Sequence, residues 1–298
     1  MKNVLVIMST YNGEMYIQEQ IDSILNQKNV SVDLLIRDDG STDRTREIID
    51  DYSSRVKMIK GINIGCEKSF FRLLELCHGY DYYAFSDQDD YWEPNKISSA
   101  IDKINNEVGP ALAGCNLLVC DGYLNPLREM FSSADINILQ IQMKRDVLRN
   151  IHGCVLVWND ALNNILISNM PKCDVTHDVW VNAVANITGV VKIDEKALIR
   201  YRLHGLNVSG FALSSLGRMK KAIKVYWGEN RPRRDVIAMD LLNKFEKYMD
   251  KDKQSYETLC CLRDYRNNKL ALLKQPIVSE RPLLDRLFWT ISIFINRY

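Results

Sequence analysis

Over residues 1–100, short apolar runs alternate with segments whose apolar positions recur at helical spacing. Val4 to Met8 is a continuous apolar run ended by Ser9-Thr10-Tyr11-Asn12-Gly13, the pattern of a buried strand entering a turn. Tyr16, Ile17, Gln20, Ile21, Ile24 and Leu25 then predict a helix, and Val32 to Ile36 predicts a second strand ending at Arg37-Asp38-Asp39-Gly40-Ser41. The pattern repeats. Ser41 or Thr42 is placed to cap a helix through Ile48 and Ile49, Val56 to Ile59 is a third strand, Phe70 to Leu76 a helix, and Tyr82 to Phe85 a fourth strand ending at Ser86-Asp87-Gln88-Asp89-Asp90. After Pro94 a helix through Ile97, Ile101 and Ile104 leads to a strand over Ala111 to Val119. Residues 121–175 show little pattern apart from a strand-like Gly153 to Val157. Val179 to Ala185 reads as helix, Val190 to Ile193 and Leu198 to Arg202 as short strands, and the chain beyond Gly210 as helical and basic.

Strands alternating with helices imply an α/β fold with a mostly parallel, doubly wound sheet, in which ligands sit at the strands' carboxyl ends. The polar clusters 9–14, 37–43 and 86–90 each follow a predicted strand directly, so such a fold gathers them on one edge. No internal repeat appears.

Composition adds a division of charge. The net charge of +1 hides 20 Lys+Arg against 28 Asp+Glu in residues 1–200, and 19 against 10 in residues 201–298. An acidic body with a basic tail argues against nucleic acid as partner and points the tail at an anionic surface such as a membrane. The eight cysteines show no CxxC pair or zinc spacing and read as reduced and mostly buried. No stretch reaches the roughly 18 apolar residues of a membrane span, and the amino terminus lacks the pattern of a signal peptide, so a cytoplasmic location is expected.

The familiar nucleotide signatures are missing: the chain has no Gly-x-Gly pair and no GxxxxGK[ST] loop. Three carboxylates in Asp87-Gln88-Asp89-Asp90 suit a hard divalent cation that bridges protein and diphosphate and neutralises a departing diphosphate; the plain alternative is a solvated acidic turn. Asp39 is placed to accept a pyrimidine N–H and Tyr11 to stack on a base, although 38–43 alone is also what a capped turn selects.

The segments STYNGEMYI, RDDGSTD and FSDQDDYW, in this order and spacing, resemble the amino-terminal half of family 2 glycosyltransferases of the GT-A fold. THDVW (Thr176 to Trp180) and YRLHGLN (Tyr201 to Asn207) are similar to the HDxW and YRxHxxN elements of the bacterial rhamnosyltransferase-like branch, whose members assemble cell-wall and surface polysaccharides such as capsule and O-antigen. The resemblance covers roughly residues 3–210, which divide into a nucleotide-sugar half (1–110) and an acceptor half (111–210); the helical, basic pattern beyond them marks an extension (211–298). It makes Ser9, Tyr11, Glu14 and Asp39 nucleoside contacts and lays Asp87 and Gln88 along ribose and diphosphate. Asp89 becomes a ligand of Mn2+ or Mg2+, with His204 as a further ligand or diphosphate contact, and Asp178 the catalytic base. The implied reaction is inverting transfer of a sugar, rhamnosyl or another hexosyl, from a nucleoside diphosphate to a lipid-linked or growing glycan.

The chemistry agrees with this assignment. Substitution at an anomeric carbon needs leaving-group stabilisation on one face and one base on the other. Asp178 fits the second task; its bland reading is a helix cap. Arg202 and His204 alternate onto one face toward the phosphates, and the role of Arg202 stays open. One departure stands out: Ser69 occupies a position where the family often has Asn, and Lys68 beside it reads as a solvent-facing helix lysine. The competing readings are an inactive relative serving as an assembly partner, and a nucleotidyltransferase, which would need a Gly-rich basic loop that Thr10 to Glu14 does not provide.

In the tail, residues 218–234 hold seven Lys+Arg and one acid, and ten uncharged residues, Leu287 to Asn296, lie between Arg286 and Arg297. That suits a helix lying on the inner face of an anionic membrane, or one packed on the catalytic domain or in a homodimer.

Overall fold

The computed structural model describes residues 1–149, 151–204, 233–251, 253–280 and 283–296. β1 (Lys2–Thr10), β2 (Val30–Asp38), β3 (Val56–Lys60) and β4 (Tyr82–Ser86) pair in parallel in the order β3-β2-β1-β4. Val4 to Met8 and Tyr82 to Phe85 are buried at every position, as strands covered on both faces must be. The parallel connections run through α1 (Ile17–Leu25), α2 (Thr45–Asp50) and α3 (Cys66–Leu74). Their buried positions, such as Ile17, Ile21 and Ile24 of α1 and Phe70, Leu73 and Leu74 of α3, recur at helical spacing.

Beyond β4 the sheet stops being purely parallel. β5 (Tyr91–Trp92) and α4 (Lys96–Ile104) lead to β6 (Ala111–Cys120), β7 (Pro126–Glu129) and α5 (Ser133–Arg145). β8 (Val157–Asn159), α6 (Asp160–Ser168), α7 (His177–Thr188) and β9 (Val190–Arg202) complete this half. The nine-stranded sheet continues β4-β8-β6-β9-β5, with β7 on β6. β8 is antiparallel to both neighbours and so forms the seam between two parallel sets.

Three expectations change in detail. Gly153 to Val155 is a turn of 3-10 helix ahead of β8 rather than a strand, although its residues are as buried as a strand's. The two short strands predicted at 190–193 and 198–202 are the ends of one strand, β9, whose pairing with β6 shifts register around Asn116. Neither Ser41 nor Thr42 caps α2: the preceding residue is Arg44, and Asp43 Oδ1 accepts from Thr45 N at 3.0 Å.

The carboxyl-terminal helices are α8 (Arg234–Phe245), α9 (Gln254–Arg263), α10 (Lys269–Lys274), α11 (Pro276–Ser279) and α12 (Leu283–Phe294). α8 packs on α7, while α9 and α11 pack on α5. Their residues Leu241, Phe245, Leu262 and Ile293 belong to the same apolar cluster as the sheet. α12 buries Trp289 and Ile293 but exposes Leu283, Leu287, Ile291 and Phe294. The basic segment 218–232 lies outside the described residues. No described helix is long and apolar enough to cross a membrane. The cysteines are free; four are buried and four part-buried.

Candidate active site

Because β2, β1 and β4 are adjacent and parallel, the turns after them meet at one sheet edge. The β1 and β2 turns are tied together through backbone groups. Asn12 takes a left-handed conformation (φ 49°); its N–H donates to Ser41 Oγ at 2.9 Å and its Oδ1 accepts from Thr42 N at 2.9 Å. Gly13 N donates to Thr45 Oγ1 at 2.8 Å, and the exposed Glu14 accepts from Arg44 N at 2.9 Å. A Cβ on Gly13 would stand 2.5 Å from Gln88 Oε1, so glycine lets the β4 turn approach. Gln88 Oε1 accepts from Thr10 Oγ1 at 2.6 Å and Tyr11 N at 3.0 Å, holding the backbone of Tyr11, a residue that is 46% exposed. Gln88, expected to contact ribose, therefore also builds the turn after β1.

Asp39, expected to face the base, is 2% exposed. It pairs with Arg37 and accepts from Ile64 N at 3.0 Å and Gly65 N at 2.9 Å. Arg37 also reaches Ser69 Oγ at 3.1 Å, and Ser9 Oγ donates to that hydroxyl at 2.7 Å. Ser69 thus joins Ser9 to the Arg37–Asp39 pair, and Lys68 is exposed as expected. Asp38 is fully buried and accepts from Gly40 N at 3.2 Å, Ser41 N at 3.1 Å and Arg46 Nε at 2.5 Å.

The turn after β4 is different. Burial, reinforced by the negative charges of Asp89 and Asp178, pushes the Asp87 carboxyl up to about 7. Burial and its neighbours Asp89 and Asp87 raise Asp90 well above the usual carboxylate range. Asp90 Oδ1 accepts from Arg202 N at 3.2 Å, and Oδ2 has no hydrogen-bond partner among the described residues. His204 Nε2 lies 2.7 Å from Asp89 Oδ2. Asp178 stands in the first turn of α7 with Thr176, not Asp178, as the residue before the helix, and its Oδ1 accepts from Val179 N at 2.8 Å. The fold therefore brings the predicted Asp87, Asp89, Asp178 and His204 to one place and Ser9, Tyr11, Glu14 and Asp39 to the adjoining turns.

These groups fit a hard divalent cation. The donors are carboxylate oxygens and an imidazole, and the crowding that raises Asp87 is what a positive charge there relieves. Asp87, Asp90 and Cys154 also offer atoms within 4.8 Å of one another, but burial beside two acids holds the Cys154 thiol protonated, which suits such a cation poorly.

One residue of the site went unassigned in the sequence. His177 stacks on Phe70 at 4.0 Å, meets Phe85 edge-on at 4.7 Å, and lies so close to Gly153 that a Cβ there would be 2.5 Å from its Nε2. Burial lowers its pKa, keeping it neutral, and it locks α7 against α3 and β4 next to Asp178. Its signal was its place beside Asp178 in THDVW.

The mixed sheet, parallel over β3-β2-β1-β4 with acidic turns gathered at its edge, is of GT-A type. The chain belongs to glycosyl transferase family 2, whose model matches residues 5–166. It is 44% identical over 103 residues to dTDP-rhamnosyl transferase RfbG of Shigella flexneri, covering 32% of this chain and 36% of that one. It is 26% identical over 213 residues to TuaG of Bacillus subtilis, named for teichuronic acid biosynthesis, covering 69% of this chain and 81% of that one. Among solved structures, S. aureus TarS 1–349 in complex with UDP-GlcNAc superposes with a TM-score of 0.58 at 17% identity, over 98% of this chain and 81% of that one. Mannosyltransferase PcManGT from Pyrobaculum calidifontis, in complex with GDP-Man and Mn2+, gives 0.54 at 14% identity, over 99% and 80%.

Proposed function

We propose that the protein transfers a deoxyhexosyl or hexosyl group, rhamnosyl foremost, with inversion from a nucleoside diphosphate to a lipid-linked or growing surface glycan. The observation that carries this reading is the meeting of Asp87, Asp89 and Asp178 beside the β1 and β2 turns: one set of acids for the leaving diphosphate, one for the acceptor. The base and ribose lie against Ser9, Tyr11, Glu14, Asp39 and Gln88, with the exposed Tyr11 available for stacking. Asp89 and His204, with Asp87 beside them, hold Mn2+ or Mg2+, which when bound supplies positive charge to the departing diphosphate. Asp178 takes the acceptor hydroxyl proton as the oxygen attacks the anomeric carbon. The identity with RfbG supports rhamnosyl from a dTDP donor, and UDP donors remain the comparison.

Residues 1–110 then form the donor half, 111–210 the acceptor half, and 211–298 an extension that rests on the inner face of the plasma membrane. The outward face of α12, where Leu283, Leu287, Ile291 and Phe294 are exposed, carries the exposed Arg286 and meets Lys269, whose Nζ donates to the Phe294 carbonyl at 2.7 Å, which supports that contact with an anionic bilayer. A second copy of the chain is the other occupant that face allows.

The test is turnover of dTDP- and UDP-sugars with Mn2+ and a lipid-linked saccharide acceptor, the product's anomeric configuration being read by NMR. Transfer with inversion, lost in Asp178→Asn while donor still binds, is the expected result. Retention of configuration, or full activity in Asp178→Asn, overturns the reading.

A further inference from the structure

At the end of β9 lies a guanidinium with no task in the reaction just described. Arg202 is 3% exposed, and its fork is spread over three separate segments. Nε donates to the carbonyl of Asp89 at 2.9 Å, Nη1 donates to the carbonyl of Gly122 at 2.8 Å, and Nη2 pairs with Glu19 of α1. The Arg202 backbone N–H donates to Asp90 Oδ1, so one residue holds both halves of the Asp89-Asp90 turn. The guanidinium also lies 4.5 Å from the centre of the Tyr16 ring, whose centroid is 4.8 Å from that of His204. His204 in turn bonds Asp89.

A buried cation is costly unless paired and hydrogen-bonded, and here the carbonyls it meets belong to the turns after β4 and β6. Its charge partner, Glu19, has a side chain 50% exposed and is therefore screened by solvent. What the planar fork supplies is chiefly direction: donors fixed at set angles to three segments at once, which a single ammonium cannot reproduce. Resting on the proposed function, we infer that Arg202 is a positioning residue for the cation site. It fixes the Asp89 turn from behind while Tyr16, packed between Arg202 and His204, sets the imidazole against the Asp89 carboxylate. Groups that orient ligands in this way commonly change metal affinity by about 10- to 100-fold when altered.

The experiment measures Mn2+ binding to the full chain by the loss of the free-ion EPR signal, in the presence of dTDP, alongside thermal unfolding. Arg202→Lys keeps the charge and loses the fork; Tyr16→Leu keeps the guanidinium and removes the ring, and serves if the first variant does not fold. The expected result is Mn2+ affinity lowered about tenfold in Arg202→Lys and less in Tyr16→Leu, with turnover regained at saturating Mn2+. Wild-type Mn2+ affinity in both variants overturns the inference while leaving the proposed function standing. Failure of the wild-type chain itself to bind Mn2+ with dTDP overturns both.

Discussion

Two acidic clusters share one sheet edge and are built in opposite ways. After β2, Asp38 and Asp39 each face an arginine and two backbone N–H groups. After β4, Asp87, Asp89 and Asp90 crowd one another, with His204 bonded to Asp89 and the Arg202 N–H to Asp90, and Asp87 is pushed up to about 7 by burial and by the charges of Asp89 and Asp178. The first cluster is held by arginines and backbone N–H groups and shapes a turn, although Asp38 Oδ2 has no hydrogen-bond partner among the described residues; the second crowds carboxylates that repel one another. The contrast separates residues whose loss unfolds the site from residues whose loss silences it.

The largest effect expected is on the second cluster. Asp178→Asn should lower turnover by about 10²–10⁴ while leaving the unfolding midpoint close to wild type, measured by diphosphate release and differential scanning. The first cluster should respond in stability. Asp39→Ala leaves Arg37 buried, its side chain 9% exposed, without its carboxylate, and should cost about 3–5 kcal/mol in urea unfolding. If Asp39→Ala were as stable as wild type, the division between the clusters would fail.

A buried cation gives a pH test. Lys96 begins α4 fully buried, its Nζ 3.6 Å from the centre of the Trp92 ring, and Cys115 and Cys154 are the titratable groups facing it. Burial lowers its ammonium to about 8. Between pH 8 and the ordinary lysine value near 10.5 the unfolded chain binds the proton and the folded one does not, so this group makes stability rise with pH. Buried thiols such as Cys115, raised to about 11, act in the opposite direction, so the difference between proteins is the useful quantity. Lys96→Met should gain about 1–3 kcal/mol at pH 7 and lose that advantage by pH 10.5, checked by denaturant unfolding at both values. The smallest effect on the catalytic half is expected from Ile291→Glu on the exposed face of α12. It should abolish co-sedimentation with anionic liposomes at low salt while changing stability by less than about 0.5 kcal/mol.

The clusters were legible because each follows a strand whose apolar run is unbroken, as at Val4–Met8 and Tyr82–Phe85. The middle was not, for physical reasons. β8 is three residues long, and the 3-10 turn Gly153–Val155 is buried on all sides, so its composition matches that of a strand. In sequence β9 looks like two pieces because Asp194, Glu195 and Lys196 interrupt its apolar pattern where the register with β6 shifts. The acids of the turn after β4 could be read as types at a spacing, but the roles of Gln88, His177 and Arg202 depend on partners 77, 107 and 113 residues away, such as Tyr11, Phe70 and Asp89. Nothing local announces such partners.

The most direct measurement is a calorimetric titration of the full chain with dTDP and UDP, with Mn2+ and with the metal chelated. The account expects nucleotide binding that requires Mn2+, is lost in Asp89→Asn and is kept in Asp178→Asn. Equal affinity with and without metal, or binding untouched by Asp89→Asn, would contradict it.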